Sequence, residues 1–285
     1  MAKTALVLGV IGGVGSAVAR TLIGKGWSVI GTVRAADQVN EAKTEVPGLR
    51  DVVVMDLSDA ESVIPALTPA LKKVQNLDAV VMTAGTCPFG PLETTPLSEL
   101  RRVLEINTVS ATAVYQACID LIRRSKGHII ILTSISGKVA VPFLGHYSAS
   151  KFALEALADV MRRESRQWGV RVVVVEPGGM KSRMVDLQLR QVRERKAALT
   201  DEERARYGHY YDTHEYAVSD RNQGLGPPEE AADIVIKALE MENPETRYTV
   251  GIPAAYLCGL PRTMSDKDLD DVVASNKVWE KGLNK

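Results

Sequence analysis

Seven short apolar runs recur along the chain, at Thr4–Leu8, Ser28–Thr32, Asp51–Met55, Ala79–Met82, His128–Leu132, Arg171–Val175 and, most weakly, Arg247–Val250. Their apolar residues are continuous rather than alternating, which predicts strands of a parallel sheet covered on both faces. Helical stretches are predicted between them, over Gly13–Lys25, Asp59–Lys73, Leu97–Ser125, Tyr147–Gln167 and Pro228–Glu240. Repeated βα units with right-handed crossovers give an α/β fold, a doubly wound parallel sheet with helices on both faces. No linker, repeat or low-complexity tract interrupts the pattern, so residues 1–285 read as one domain. Two segments depart from it. Residues 181–226 are polar and charged, carry Tyr207, Tyr210, Tyr211 and Tyr216, and show no strand signal. They follow the sixth strand, where an α/β sheet places its ligand crevice, which predicts a mobile helical lid over the site. Residues 252–285 form a C-terminal extension.

Composition narrows the class. Thirty-five basic and 35 acidic residues cancel, which argues against a partner bound through a phosphate backbone, so no nucleic acid is expected. The three cysteines, Cys87, Cys118 and Cys258, are widely spaced with no CxxC pair, as expected in a reducing compartment. The four histidines are not at metal-ligand spacing, and no metal site is predicted. The chain runs from Met1 almost directly into an apolar strand, so no signal peptide is read. No apolar run reaches the roughly 18–20 residues that span a bilayer. A cytoplasmic protein is the expectation.

The first strand runs into Gly9-Val10-Ile11-Gly12-Gly13-Val14-Gly15 and then a helix. Glycines permit a tight turn and close approach of the backbone to a pyrophosphate, and the helix N-terminus offers unpaired N–H groups with about half a positive charge. In a βαβ unit this predicts a Rossmann-type dinucleotide site. The spacing alone fits GxxxGxG through Gly9, Gly13 and Gly15, and GxxGxxG through Gly9, Gly12 and Gly15. The second strand ends in Val33-Arg34, where a carboxylate would bind the ribose 2′-hydroxyl of NAD. An arginine fork suits a 2′-phosphate instead, which predicts NADP(H). Asp56-Leu57 after the third strand would flank the adenine, although Asp56 could equally cap the helix that follows.

Tyr147 and Lys151 stand four residues apart on a predicted helix, hence on one face. A tyrosine must lose about three pKa units to act as an acid/base near neutrality, about 4 kcal/mol, which a cation about 4 Å away supplies at an effective dielectric near 20. Thr133-Ser134 follows the fifth strand, thirteen residues before Tyr147, and Asn107 is a polar amide among apolar helical neighbours. A satisfied core amide is the plainer reading of Asn107.

With the glycine turn, Thr83-Ala84-Gly85, Asn107, Ser134, Tyr147/Lys151 and Pro177-Gly178 in this order, the chain resembles the short-chain dehydrogenase/reductase family in its compact, non-extended branch. The resemblance covers nearly everything from Thr4 to Gly251 and selects Gly9, Gly13 and Gly15, with Val14 between them, as the phosphate turn. It implies Tyr147 as proton donor to the substrate oxygen, with Ser134 hydrogen-bonding that oxygen. Lys151 would bind the nicotinamide ribose and lower the phenol's pKa, and Asn107 would hold a water in a proton relay. It further implies that Thr83, Ala84, Gly85, Pro177, Gly178, Met180 and Ser182 line the cofactor. Leu8 and Thr83 depart from the family's usual threonine and asparagine, at positions that support the sheet and cofactor loop. The implied activity is NADP(H)-dependent interconversion of a carbonyl and an alcohol by a homodimer or homotetramer. The segment after Ser182 and the tail Ile252–Leu257 are similar to hydroxysteroid- and retinol-type members, implying a bulky apolar small-molecule substrate. Two other readings use the same fold: an NADP(H)-sensing regulatory protein, against which the complete Asn107/Ser134/Tyr147/Lys151 set stands, and an NAD-dependent epimerase or dehydratase, against which Val33-Arg34 and the Ser–Tyr spacing stand.

Overall fold

The computed structural model describes residues 2–219, 225–251 and 254–274, the side chains of 216–219 and 274 excepted. Seven strands, β1 (Thr4–Leu8), β2 (Ser28–Val33), β3 (Asp51–Val54), β4 (Ala79–Met82), β5 (His128–Leu132), β6 (Arg171–Pro177) and β7 (Arg247–Val250), form one parallel sheet in the order β3-β2-β1-β4-β5-β6-β7. The continuous apolar runs have a direct cause. On β1, Ala5 and Val7 enter the core on one face, while Leu6 and Leu8 enter the core on the other. The same division separates Ile130 and Leu132 from Ile129 and Ile131 on β5. With both faces dry, neither set of alternate positions can be polar.

Helices α1 (Gly13–Gly24), α2 (Val39–Glu45) and α9 (Pro228–Glu240) cover the first face, where Val18 and Leu22 meet Ala231 and Val235. Helices α3 (Val63–Leu71), α5 (Ser110–Ser125) and α6 (Gly145–Ser165) cover the second, through residues such as Leu67, Val114 and Leu154. Pro228 opens α9 at its first position, where a missing N–H costs nothing. The sheet order reverses between β1 and β4, so the crossovers diverge there and leave a crevice at the carboxyl ends of those strands.

Several elements differ from the sequence pattern. The short α2 was not anticipated, because seven residues span too few turns to show a helical period. The predicted helix 97–125 is two helices, α4 (Leu97–Leu104) and α5, joined by a π-turn over Glu105–Val109. The stretch predicted from Asp59 opens with a 3₁₀ turn, Ala60–Ser62, before α3. Residues 181–226 supply α7 (Arg183–Ala197) and α8 (Asp201–Ser219), and the extension supplies α10 (Ala254–Gly259) and α11 (Asp266–Ala274). The excursion starts and ends at one place: the Gly226 N–H donates to Gly179 O at 3.1 Å and the Lys181 N–H donates to Gly226 O at 3.1 Å. Among the described residues no helix is long and apolar enough to cross a membrane.

Candidate active site

The pairing of Leu8 with Met82 sets the glycine turn beside Thr83-Ala84-Gly85 at the mouth of the crevice. Gly9 has a φ of +75°, which only glycine adopts without strain, and an added Cβ there would lie 3.2 Å from the Ala84 methyl. At Gly15 a Cβ would sit 2.3 Å from Gly9 O and 2.7 Å from Thr83 Oγ1. The turn closes on itself through Gly12 N–H to Gly9 O (2.9 Å), and Gly12 caps α1 without a side-chain acceptor for the first-turn N–H groups. A diphosphate offers those donors the oxygens they lack, and the absence of Cβ atoms gives it room. Gly13 faces the other way: its Cβ would meet Lys181 O and the Pro228 ring, both at 3.1 Å, so its smallness serves the packing of α9 and the start of the excursion.

The turn is tied to the end of β2. Val10 N–H donates to Thr32 O and Gly9 N–H to Thr32 Oγ1, each at 3.2 Å. Val33 is buried, and Arg34 is the first exposed residue beyond it, with its guanidinium in no ion pair among the described residues. Its backbone N–H donates to Gln38 Oε1 at 3.1 Å, which turns the chain into α2 and fixes where Arg34 leaves the strand. Asp56 Oδ1 accepts from the Ser58 N–H at 2.9 Å, so its carboxylate caps the turn before α3 and is exposed beside the crevice, with Leu57 half-buried behind it.

Helix α6 begins at Gly145, two residues earlier than the pattern suggested, which places Tyr147 in its first turn and Lys151 one turn on. Both are buried, with the Lys151 ammonium 5.7 Å from the Tyr147 ring centre. Ser134 caps the 3₁₀ turn Ile135–Gly137 after β5, accepting the Ser136 N–H at 3.1 Å, and its hydroxyl lies beside the phenol. Thus Ser134, Tyr147 and Lys151 converge at the carboxyl end of β5.

Burial dominates the electrostatics of the pair. Burial pushes the Tyr147 phenol well above its ordinary value, with the nearby Cys87 adding to the rise and the Ser134 hydroxyl opposing it. Lys151 Nζ donates to Leu132 O at 3.0 Å and stands 5.7 Å from the Tyr147 ring centre. Desolvation brings Lys151 itself down to about 8, against the opposing pull of Cys87 and Glu155.

Asn107 lies in the π-turn, and both hydrogens of its amide are engaged. Oδ1 accepts the Thr86 N–H at 2.8 Å, and Nδ2 donates to Thr86 O and Ser150 Oγ, each at 2.9 Å. The side chain therefore locks the loop after β4 to α6, and no amide hydrogen is left over for a water. Pro177 ends β6, and the Gly178 N–H donates to Val250 O at 2.8 Å. Met180 is buried, and Ser182 is the residue from which α7 starts.

The sequence reading missed the contacts above Tyr147. Gln188 of α7 is buried and donates from Nε2 to Cys87 Sγ at 3.1 Å. Arg195 donates to Phe89 O and makes a two-pronged contact with Glu99 of α4, at 2.7 Å and 2.5 Å. Tyr211 is buried edge-on against Phe89 at 5.4 Å, while Tyr207 and Tyr210 pack on Phe143 at 5.9 Å and 4.4 Å. Beneath them Pro88, Phe89, Gly90, Thr95, Phe143 and His146 line a narrow cleft too tight to admit a water molecule. Aromatic residues spaced three and four apart on α8 were a visible signal; their partners Phe89 and Phe143 were too distant in sequence to be read. The side chain of Tyr216, and residues Ile252 and Pro253, lie outside the described residues.

Comparisons with known proteins place the chain in a family. Residues 3–192 match the family model for short chain dehydrogenases. The NADPH-dependent 3-dehydrocapnine reductase of Ornithobacterium rhinotracheale is 30% identical, over 99% of this chain and 98% of that protein. The 17-beta-hydroxysteroid dehydrogenase type 6 of Mus musculus is 28% identical, over 90% of this chain and 84% of that protein. A solved short-chain dehydrogenase from Streptomyces avermitilis shares the fold with a TM-score of 0.75 at 24% identity, covering 98% of this chain and 96% of that chain. The chain belongs to the short-chain dehydrogenase family, and with it to the nicotinamide-dependent oxidoreductases.

Proposed function

We propose that this protein is an NADP(H)-dependent reductase of bulky, largely apolar ketones or aldehydes, with Tyr147 as the proton donor. The carrying observation is the convergence of buried Tyr147, Lys151 and the Ser134 hydroxyl beside a glycine cradle in which added Cβ atoms would collide. The turn around Gly9, Val14 and Gly15, with Thr83, Ala84 and Gly85, would hold the diphosphate and adjoining ribose. Arg34 would take the 2′-phosphate, Asp56 and Leu57 the adenine edge, and Pro177, Gly178, Met180 and Ser182 the nicotinamide side. When bound, the cofactor supplies the hydride that reaches the carbonyl carbon. Tyr147 gives its hydroxyl proton to the carbonyl oxygen as that hydride arrives, and Ser134 donates a hydrogen bond to the same oxygen. Lys151 keeps a positive charge beside the ribose and the phenolate left behind, which solvent then reprotonates. The raised phenol pKa suits this direction, because Tyr147 carries its proton throughout the neutral range.

NADP(H) is favoured by Val33-Arg34, and the names of two similar proteins, an NADPH-dependent reductase and a hydroxysteroid dehydrogenase, favour both the cofactor class and a large apolar substrate. The aromatic contacts of α8 with Phe89 and Phe143 support the same substrate class. The test is a panel of ketones and aldehydes of graded size, scored by NADPH oxidation. Turnover rising with apolar bulk supports the proposal. NADPH binding with no turnover on any carbonyl would instead indicate a sensing protein.

A further inference from the structure

On the side of α6 behind Lys151 lies a second cluster of charge that the reaction above does not use. Glu155 follows Lys151 by one helical turn and is only 5% exposed. Its carboxylate accepts from Thr133 Oγ1 at 2.6 Å, from Lys138 Nζ at 2.7 Å, and from Arg247 Nε and Nη2 at 3.1 Å and 3.0 Å. Each donor has a place in the architecture. Thr133 immediately precedes Ser134, Lys138 follows the 3₁₀ turn that Ser134 caps, and Arg247 opens β7. Gly137 leaves the room for this, since a Cβ there would lie 3.1 Å from Glu155 Cγ and 3.2 Å from Lys151 O.

The surrounding charges are Asp159, bonded to Arg247 at 2.6 Å, and Glu176 of β6, 3.5 Å from Lys138 and 3.4 Å from Arg247. Cys258 of α10 lies near Glu176. Facing Lys151 from the opposite side are Tyr147 and Cys87. Burying this many charges is poor economy for stability alone, because well-packed apolar residues often serve as well or better. A carboxylate bonded to the residue before Ser134, and one turn from Lys151, has a use in the active site.

We propose that Glu155 is a positioning residue for the carbonyl reduction proposed above: through Thr133 it fixes Ser134 against Tyr147, and through its charge it keeps Lys151 protonated. The inference rests on that reading of Ser134 and Lys151. Lys151 is otherwise short of anionic support, since burial lowers it, the phenol is protonated, and its hydrogen bond goes to a neutral carbonyl. Glu155 is one of the two groups that hold its pKa up to about 8, the other being Cys87.

Two variants separate the roles. The affinity for NADPH is measured by protein fluorescence from pH 6 to 10, a readout that needs no turnover, alongside kcat and KM on a carbonyl from the panel. Glu155→Gln is expected to move the alkaline loss of NADPH affinity to lower pH by roughly one unit, the effect of a nearby opposite charge, and to leave affinity at pH 6 unchanged. Thr133→Val is expected to lower kcat by roughly ten- to a hundredfold through misplacement of Ser134, with the alkaline midpoint and the KM for NADPH as in the wild type. A lower melting temperature with the wild-type pH midpoint in Glu155→Gln, or a wild-type kcat in Thr133→Val, would overturn the proposal. Should Glu155→Gln fail to fold, the kcat of Thr133→Val decides. Should the wild type reduce no carbonyl, the proposed function fails, while the pH midpoint of NADPH binding still decides the link between Glu155 and Lys151.

Discussion

Replacing Gly15 by alanine tests the cofactor cradle in the most direct way. The added methyl carbon would lie 2.3 Å from Gly9 O and 2.7 Å from Thr83 Oγ1, about an ångström inside ordinary contact for the first. Gly9 cannot simply rotate away, since its φ of +75° is already set by the turn and its own Cα faces Ala84. Thr83 would have to give up its hydrogen bond to Leu8 O, worth about 1 kcal/mol. Overpacking adds about 1–3 kcal/mol, and alanine's better helix propensity offsets about 1 kcal/mol. The net loss is about 2 kcal/mol, a fall in Tm of roughly 5 °C for a chain of this size. The turn that relieves the clash is the one proposed to hold the diphosphate, so the Kd for NADPH, read by fluorescence titration, should rise at least ~10-fold, about 1.4 kcal/mol. Gly24→Ala is the control in the same helix. It is exposed, nothing lies within 4 Å of its added Cβ, and it should raise stability by roughly 0.5–1 kcal/mol with no change in Kd. Wild-type NADPH affinity in Gly15→Ala would refute the cradle, because no cofactor pressed against this turn tolerates its displacement.

Three further outcomes are expected. Tyr147→Phe should lower kcat by about two to four orders of magnitude and leave the NADPH Kd within about twofold, since only the hydroxyl is lost; a steady-state assay showing near-normal turnover would remove Tyr147 as proton donor. Arg34→Ala should weaken NADPH by roughly 10- to 150-fold, corresponding to about 1.5–3 kcal/mol, and spare NADH; equal NADPH affinity in titrations of both proteins would leave Arg34 a mere surface residue. Hydrogen exchange along α7 and α8 should slow when NADP and substrate are both bound while the sheet stays protected throughout; exchange indifferent to ligand would assign the tyrosines of α8 to packing alone.

The legibility of this protein in its sequence follows the range of each interaction. The central strands were readable because they are apolar on both faces, and Tyr147 and Lys151 because they are four residues apart on one helix. The π-turn at Asn107 was not readable, since the break depends on Thr86 and Ser150, which meet it only in the folded chain. A cation four residues away is visible in sequence, but the burial of the ring and the hydrogen bond of that cation to Leu132 O are not. The Glu155 cluster draws on β5, α6, β6 and β7, and no local pattern marks it.

The loop after β4 connects these parts. Asn107 grips it through the backbone of Thr86, and the next residue, Cys87, accepts from Gln188 on α7. Two residues on, Phe89 accepts from Arg195 through its carbonyl, and its ring packs against Tyr211. One short segment thus carries α6 on one side and the excursion on the other. A movement of α7 and α8 large enough to admit a bulky substrate must break Gln188–Cys87 and Arg195–Phe89 first, because neither contact can follow α7 while Asn107 holds Thr86. Under the proposed function, opening the excursion would therefore release Cys87, a neighbour of both Tyr147 and Lys151, from Gln188.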